Sequence, residues 1–306
     1  LKWLFTVQTP EQIRAIILSE MILGGRMLEG KYVGKVYTGI KDSLNITYGS
    51  SDSGLIQDYA CAFNNGDSFT FVDRTLTPVK RSVMETMCLD EIEQMWQASE
   101  MPEGMQNSNF PNTLENWVAF HVAAKVSRAI DRELFVGTGT TQVNGFVTRA
   151  LADSSAVKVT GATITKANIL TAVTLMYNAL TENAFQFGDV KIFMSKTNYG
   201  LYKQAVAELG LYNGAIKLDG VKVSMPLYFD EEVEVVYIPN LPNTRLFASS
   251  ASNLFLGTDL QSDANSVIVS NQYQAGGTLD RSVRIRMDYK IDANYADSTV
   301  VVVGSF

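Results

Sequence analysis

One histidine and two cysteines in 306 residues leave little material for the commonest protein chemistries. Zinc sites draw on His and Cys, and Ser-His or Cys-His nucleophiles need an imidazole beside them. The lone His121 lies three residues after Val118 and one before Val122. At that spacing a packed, hydrogen-bonded side chain is favoured over a catalyst. Cys61 and Cys88 cannot build a disulfide framework, and neither falls in a CxxC, so two buried, reduced thiols are expected. No run approaches the roughly 18 apolar residues of a membrane span, and no basic-then-apolar leader opens the chain. No membrane partner is therefore expected.

Cations are also in deficit. Lys plus Arg is 25 against 32 Asp plus Glu, a net charge of −7 and a pI near 4.9. General clamping of nucleic-acid phosphates, which runs on Lys and Arg displacing counterions, is excluded; one local patch is not. A hydrophobic share of 46% excludes a disordered chain, and 22 scattered Gly with seven Pro exclude a collagen-like one. A folded, soluble protein of one large domain or two is expected.

Nucleotide and hydrolase motifs are missing too, with no Walker loop and no GxSxG. Gly137-Thr138-Gly139 resembles a dinucleotide loop only in part. Gln142 occupies the third glycine position, and the segment follows a helix, so a helix stop and tight turn is favoured. Asp230-Glu231-Glu232 and the pair Glu91/Glu93 are the available carboxylate clusters, and solvated surface is the favoured reading for both. Asn45-Ile46-Thr47 matches a glycosylation sequon, a weak signal without a secretory leader. Lys35 and Lys41 read as solubilising charges. No catalytic, cofactor-binding or metal residue is assigned, and no cofactor is expected.

What is present is a legible order of elements. Thr9, Pro10 and Gln12 make a helix start, with Ile13, Ile16, Ile17 and Met21 at helical spacing up to Gly24-Gly25. Leu44, Ile46 and Tyr48 alternate with polar residues as a strand with one wet face. The GSSDSG segment from Gly49 to Gly54 is a tip, and Tyr59 to Phe63 returns towards a turn at Asn64 to Asp67, after which another strand carries Phe69 and Phe71 on one face. Residues 31–66 thus predict a projecting hairpin with too little apolar material for its own core, which needs a partner to pack on. A short helix is predicted over 89–97 and a long one over about 112–136. Val118, Val122, Val126, Ile130 and Leu134 stripe the long helix, and Lys125, Arg128 and Arg132 lie off that stripe.

Beyond it, helices are predicted from Thr165 through Leu180 and over 197–209. Strands are predicted at 190–194, 221–225, 233–238, 245–248, 253–256 and 267–270. From 281 to 292, Val283, Ile285, Met287, Tyr289 and Ile291 alternate with polar residues ending at Asp292, all placed on the wet face. A continuously apolar last strand at 299–303 predicts burial on both faces. The fold class is α+β.

The stretch Asp131 to Phe146 resembles the end of the spine helix in major capsid proteins of tailed bacteriophages, which share the Hong Kong 97-type fold. Cys61-Ala62-Phe63, Asn65-Gly66, Cys88-Leu89 and Glu91 to Trp96 resemble steps in capsid proteins of Bacteroidetes-infecting, crAss-like phages. The resemblance implies an N-terminal arm and helix at 1–30 and an E-loop hairpin at 31–66. It implies a P domain at 67–185 and 281–306, with its spine helix at about 112–136, and an A domain at 186–280.

It further implies a virion subunit made in the bacterial host cytoplasm, assembling as hexamers and pentamers into an icosahedral shell. Its partners would be neighbouring subunits reached by the E-loop and arm, a portal, decoration or scaffolding proteins, and double-stranded DNA held without sequence specificity. No crosslinking Lys or Asn carries over. Leu1 fits an N-terminal segment removed in maturation. The alternatives are an encapsulin-like compartment shell and a small-molecule enzyme with an acidic cleft at Asp230 to Glu232.

Overall fold

The structure, a computed structural model, describes residues 32–50, 61, 70–88, 125–139, 142–186, 188–210, 224–259, 267–271 and 282–306. The predicted 1–30 arm with its helix, the helix at 89–97, His121, Glu91/Glu93, the first half of the long helix, the 51–54 stretch of the tip, the return arm at 59–63 apart from Cys61 and the turn at 64–67 lie outside those residues.

Two sheets and two cores organise the rest. Strand β1 (Lys35–Thr38) pairs in parallel with β10 (Leu254–Thr258), and β10 pairs antiparallel with β12 (Ser282–Tyr295). Strand β12 is long enough to take β11 (Val267–Asn271) beyond β10 on one edge and β4 (Val79–Cys88) along the other. The second sheet has six strands, β5 (Val157–Thr160), β13 (Val302–Ser305), β9 (Arg245–Ser250), β6 (Val190–Met194), β8 (Asp230–Tyr237) and β7 (Ser224–Leu227), in that spatial order. Each sheet draws strands from distant parts of the chain: β10 joins the first and β13 the second.

The period-2 pattern explains how the second sheet serves both cores. Ile192, Ala248 and Val302 face one core, while Phe193, Phe247 and Val303 face the other. The first of these cores is covered by α3 (Ile169–Asn178) and α5 (Lys196–Glu208). The second lies under α1 (residues 125–136), α2 (Phe146–Ala152) and the first sheet. The short α4 (Glu182–Gln186) adds Ala184 to the α3/α5 core. Val300 to Val303 are fully buried, as their apolar run predicts, but the strand predicted at 299–303 is Val302–Ser305, and Ser298–Val300 forms a 3-10 turn before it.

Helix α1 buries Val126, Ile130 and Leu134 and exposes Lys125, Arg128 and Arg132, as its stripe predicts. Its end is a glycine turn rather than a phosphate loop. Gly137 approaches Val143 so closely that a Cβ there would lie 2.0 Å from the Val143 carbonyl oxygen, and Gly139 takes φ of +79°. Helix α5 starts where Ser195 Oγ accepts the Asn198 N–H at 3.2 Å. Thr165 does not cap α3 with its side chain; Asn168 Oδ1 instead accepts from the Thr165 N–H and hydroxyl just before the helix.

Three expectations change. Both cysteines are exposed, not buried; Cys88 falls on the outward face of β4, whose alternation leaves Lys80, Ser82, Met84 and Thr86 exposed with it. The hairpin is displaced along the chain from 31–66. Its arms are β2 (Leu44–Ser50) and β3 (Thr70–Leu76), whereas Lys35–Thr38 belongs to the first sheet. Asp292 is buried rather than wet, for a reason that the hairpin supplies.

At the junction of α1, α2 and the second sheet, the Phe135 ring lies 5.6 Å from Phe146, 5.2 Å from Phe193 and 5.9 Å from Phe247. All four rings are buried. Phe135→Ala would empty a site walled by two helices and a sheet that cannot collapse together. It is expected to destabilise the fold by about 3–5 kcal/mol, read by urea denaturation.

Candidate assembly interface

The β2–β3 ribbon has two faces of different character. Leu44↔Leu76, Ile46↔Arg74 and Tyr48↔Val72 lie across from one another on one face; Asn45↔Thr75, Thr47↔Asp73 and Gly49↔Phe71 lie on the other. The second face is wet. Thr75 Oγ1 donates to Asn45 at 2.9 Å and Thr47 Oγ1 to Asp73 at 2.7 Å, both exposed cross-strand bonds. The first face grades outward, from buried Leu76 through half-buried Arg74 to Val72 at 42% exposed. Phe71, on the wet face, is 70% exposed. Val72 and Phe71 are the exposed large apolar side chains on the described part of this ribbon.

The root of the ribbon is fixed by polar contacts. Arg74 Nε donates to the Ala296 carbonyl at 3.2 Å and its Nη2 to Ser298 Oγ at 3.1 Å. The same guanidinium lies 3.6 Å from the Asp153 carboxylate and over the Tyr295 ring. Tyr48 donates its hydroxyl proton to Asp297 at 3.2 Å. Asn294 Nδ2 donates to the Thr75 carbonyl at 2.9 Å, and Asp292 Oδ2 accepts the Thr77 N–H at 2.8 Å. Arg149, reaching from α2, donates to the other Asp292 oxygen at 2.9 Å. The polar face of β12 thus stays wet at Arg284 and Arg286 and turns dry at Asp292 and Asn294, where the hairpin root lies over it. Sequence alternation read the face correctly, but not its cover.

Burial raises the Asp292 carboxyl above its ordinary range even against Arg149 and the Thr77 and Ala293 N–H groups. Burial pushes Asp153 the same way, but the Ser155 N–H, the Tyr295 hydroxyl and Arg74 together hold it below its ordinary range. Burial and the Asp297 charge raise the Tyr48 hydroxyl.

The acidic cluster does not form a cleft. Asp230 accepts the Tyr177 hydroxyl at 2.8 Å, and Glu231 and Glu232 point into solvent. No group of three His, Cys, Asp or Glu among the described residues is placed to hold a metal ion. Among the same residues, no helix is long and apolar enough to cross a membrane. The Arg74, Asp292 and Arg149 anchor was invisible to motif reading. Its one sequence signal is a carboxylate interrupting the apolar end of β12.

Arg74→Ala is expected to cost about 1–3 kcal/mol through its lost hydrogen bonds. The loss should be local, with amide exchange rising across 70–76 while Val300 to Val303 stay protected. The two carboxyls should respond oppositely to acid. Asp292 binds its proton more readily folded than unfolded, so its contribution to stability grows as pH falls through its folded pKa. Asp153 binds less readily folded, so its contribution is present above the ordinary carboxylate range and lost as pH falls through its folded pKa. Urea melts from about pH 7 to about pH 3 should show Asp292→Asn removing the first slope and Asp153→Asn the second.

Comparison with known proteins bears on this architecture. A sequence profile described as the phage capsid family matches residues 99–200, roughly a third of the chain. No curated protein sequence matches. Among solved structures, the capsid of an empty GTA particle aligns at TM-score 0.56 and 14% identity, covering 90% of this chain and 88% of that one. The cyanophage A-1(L) capsid aligns at 0.55 and 13%, covering 91% of each. A virus-like particle from Pyrococcus furiosus aligns at 0.54 and 11%, covering 96% of this chain and 98% of that one. The chain has the fold of these capsid shells, the Hong Kong 97-type fold.

Proposed function

We propose that the chain is the major capsid protein of a tailed double-stranded DNA phage, a structural subunit rather than an enzyme. The observation that carries this reading is a hairpin clamped at its root and apolar towards its tip, on a chain whose fold is shared with shell proteins along nearly its whole length. In this reading the β2–β3 ribbon is the E-loop and lies over a neighbouring subunit. The 1–30 arm reaches another neighbour. Subunits group as hexamers and pentamers around the rotational axes of an icosahedral shell, and portal, scaffolding or decoration proteins complete the virion.

In this reading the P domain (67–185 and 281–306) and the A domain (186–280) interlock, β10 pairing with β12 and β13 with β9 across the division. A narrower placement among Bacteroidetes-infecting, crAss-like phages rests on the motifs around Cys61 and Cys88. Synthesis in a bacterial cytoplasm follows from the phage reading.

A second reading, an encapsulin-like compartment shell, is favoured by the near end-to-end alignment with the Pyrococcus furiosus particle. The two share self-assembly and differ in contents.

Electron microscopy of the expressed chain, alone or with scaffold, should show shells or capsomers. The pair Phe71→Ser and Val72→Ser should abolish or strongly reduce shells while the thermal melt of the subunit stays within a few degrees. Normal shells from that variant would remove the hairpin from the interface.

A further inference from the structure

We propose that Asp189, Lys191 and Glu234 form an acid-sensitive latch that holds Tyr32, and with it the start of β1, on the second sheet. The device belongs to the body of the chain and does not depend on the shell reading above. Lys191 interrupts the otherwise apolar strand β6 (VKIFM) and is buried with it. Its side chain is 5% exposed, at a position between Glu234 of β8 and Ser249 of β9. The ammonium donates to Asp189 at 2.6 Å and to Glu234 at 3.0 Å. The Tyr32 ring lies over it, with Nζ 5.7 Å from the ring centroid. Lys191 points to the same side of the sheet as Phe193, which is the side whose core takes in Tyr32 and Val33.

Tyr32 begins a short anchor between the two sheets. Tyr32 and Val33 are buried, and Gly34 donates its N–H to the Leu254 carbonyl of β10 at 3.0 Å. A Cβ on Gly34 would lie 2.6 Å from the Ser252 Cα, so the backbone is pressed against the turn before β10. Strand β1 follows at the margin of the first sheet, paired with β10. Marginal segments of this kind are the ones that open locally.

The two carboxylates can take up protons while the cation keeps its charge. Both reach solvent, Asp189 with 60% and Glu234 with 40% of the side chain exposed. Ser249 and Pro226, across from Lys191 on β9 and from Glu234 on β7, bring no charge. Burial draws the Lys191 pKa down, but the hydrogen bonds and charges of Asp189 and Glu234 outweigh it and leave it above the ordinary lysine value. The Lys191 charge is therefore lost only in strong base, as pH rises through that raised value. Acid leaves a buried ammonium facing two neutral acids and a ring, and lifting Tyr32 gives it water. The latch is closed at neutral pH and opens as pH falls below the ordinary carboxylate range, about 4.

Amide hydrogen exchange of the full chain, expressed as protection relative to the intrinsic rate at each pH, reads the latch at Gly34. Between about pH 7 and about pH 3 the Gly34 protection should fall about tenfold while the β13 amides keep theirs. Lys191→Met, an apolar chain of similar length, should keep Gly34 protected at both pH values. Asp189→Asn with Glu234→Gln should show the acid level of protection already at neutral pH. Asp189 takes φ of +53°, a conformation that Asn also adopts, so this pair removes charge and keeps the turn.

Equal Gly34 protection at both pH values in the wild type would overturn the latch. So would an undiminished acid response in Lys191→Met, full protection in the neutralised pair, or a parallel fall across β13. If the neutralised pair does not fold, the wild type and Lys191→Met decide between them.

Discussion

A two-stranded ribbon has one face to give to a core and no second layer to cover it. The burial of Asp292 and Asn294 follows from how that constraint is met. At the root the body supplies the missing layer, and Leu76 is buried there. Arg74, Tyr48 and the Thr77 N–H find partners on β12 and the loop after it. Further along the ribbon exposure rises, to 42% at Val72 and 70% at Phe71. The transition occurs within a few residues of one strand.

The root holds because its charges are satisfied in pairs. Asp292 is buried, and an isolated carboxylate there would be strongly unfavourable. Arg149 and two backbone N–H groups make it tolerable. Arg149 is itself positioned by donating from Nε to the Asn144 carbonyl, so α2 and the turn before it are tied into the same network. The aromatic cluster beneath, joining Phe135 and Phe146 to Phe193 and Phe247, gives that network a rigid floor.

The same architecture leaves no cleft for the acidic reading. Asp230 is engaged by Tyr177, and its neighbours Glu231 and Glu232 are solvated.

Much of the secondary structure was legible because periodicity is a local signal. The run 190–194 is a strand with those limits, the 197–209 helix starts one residue earlier at Lys196, and α1 buries the stripe it shows in sequence. The valines at 300–303 announced burial on both faces through their unbroken apolar character. Strand pairing was not legible, because nothing local distinguishes β3 from the 59–63 segment as the partner of Leu44–Ser50. Nor does anything local say that Lys35–Thr38 would join β10. By itself the sequence determined the type of several described elements, among them 190–194, α1 and α5, and the buried stripe of α1, but not β4, α2 or β5. Only the tertiary structure decided that the hairpin root covers Asp292 and Asn294, that β13 lies inside the second sheet, and that Lys191 is buried between Asp189 and Glu234. Those outcomes depend on which distant surfaces meet, and burial and electrostatics are properties of the meeting rather than of either segment.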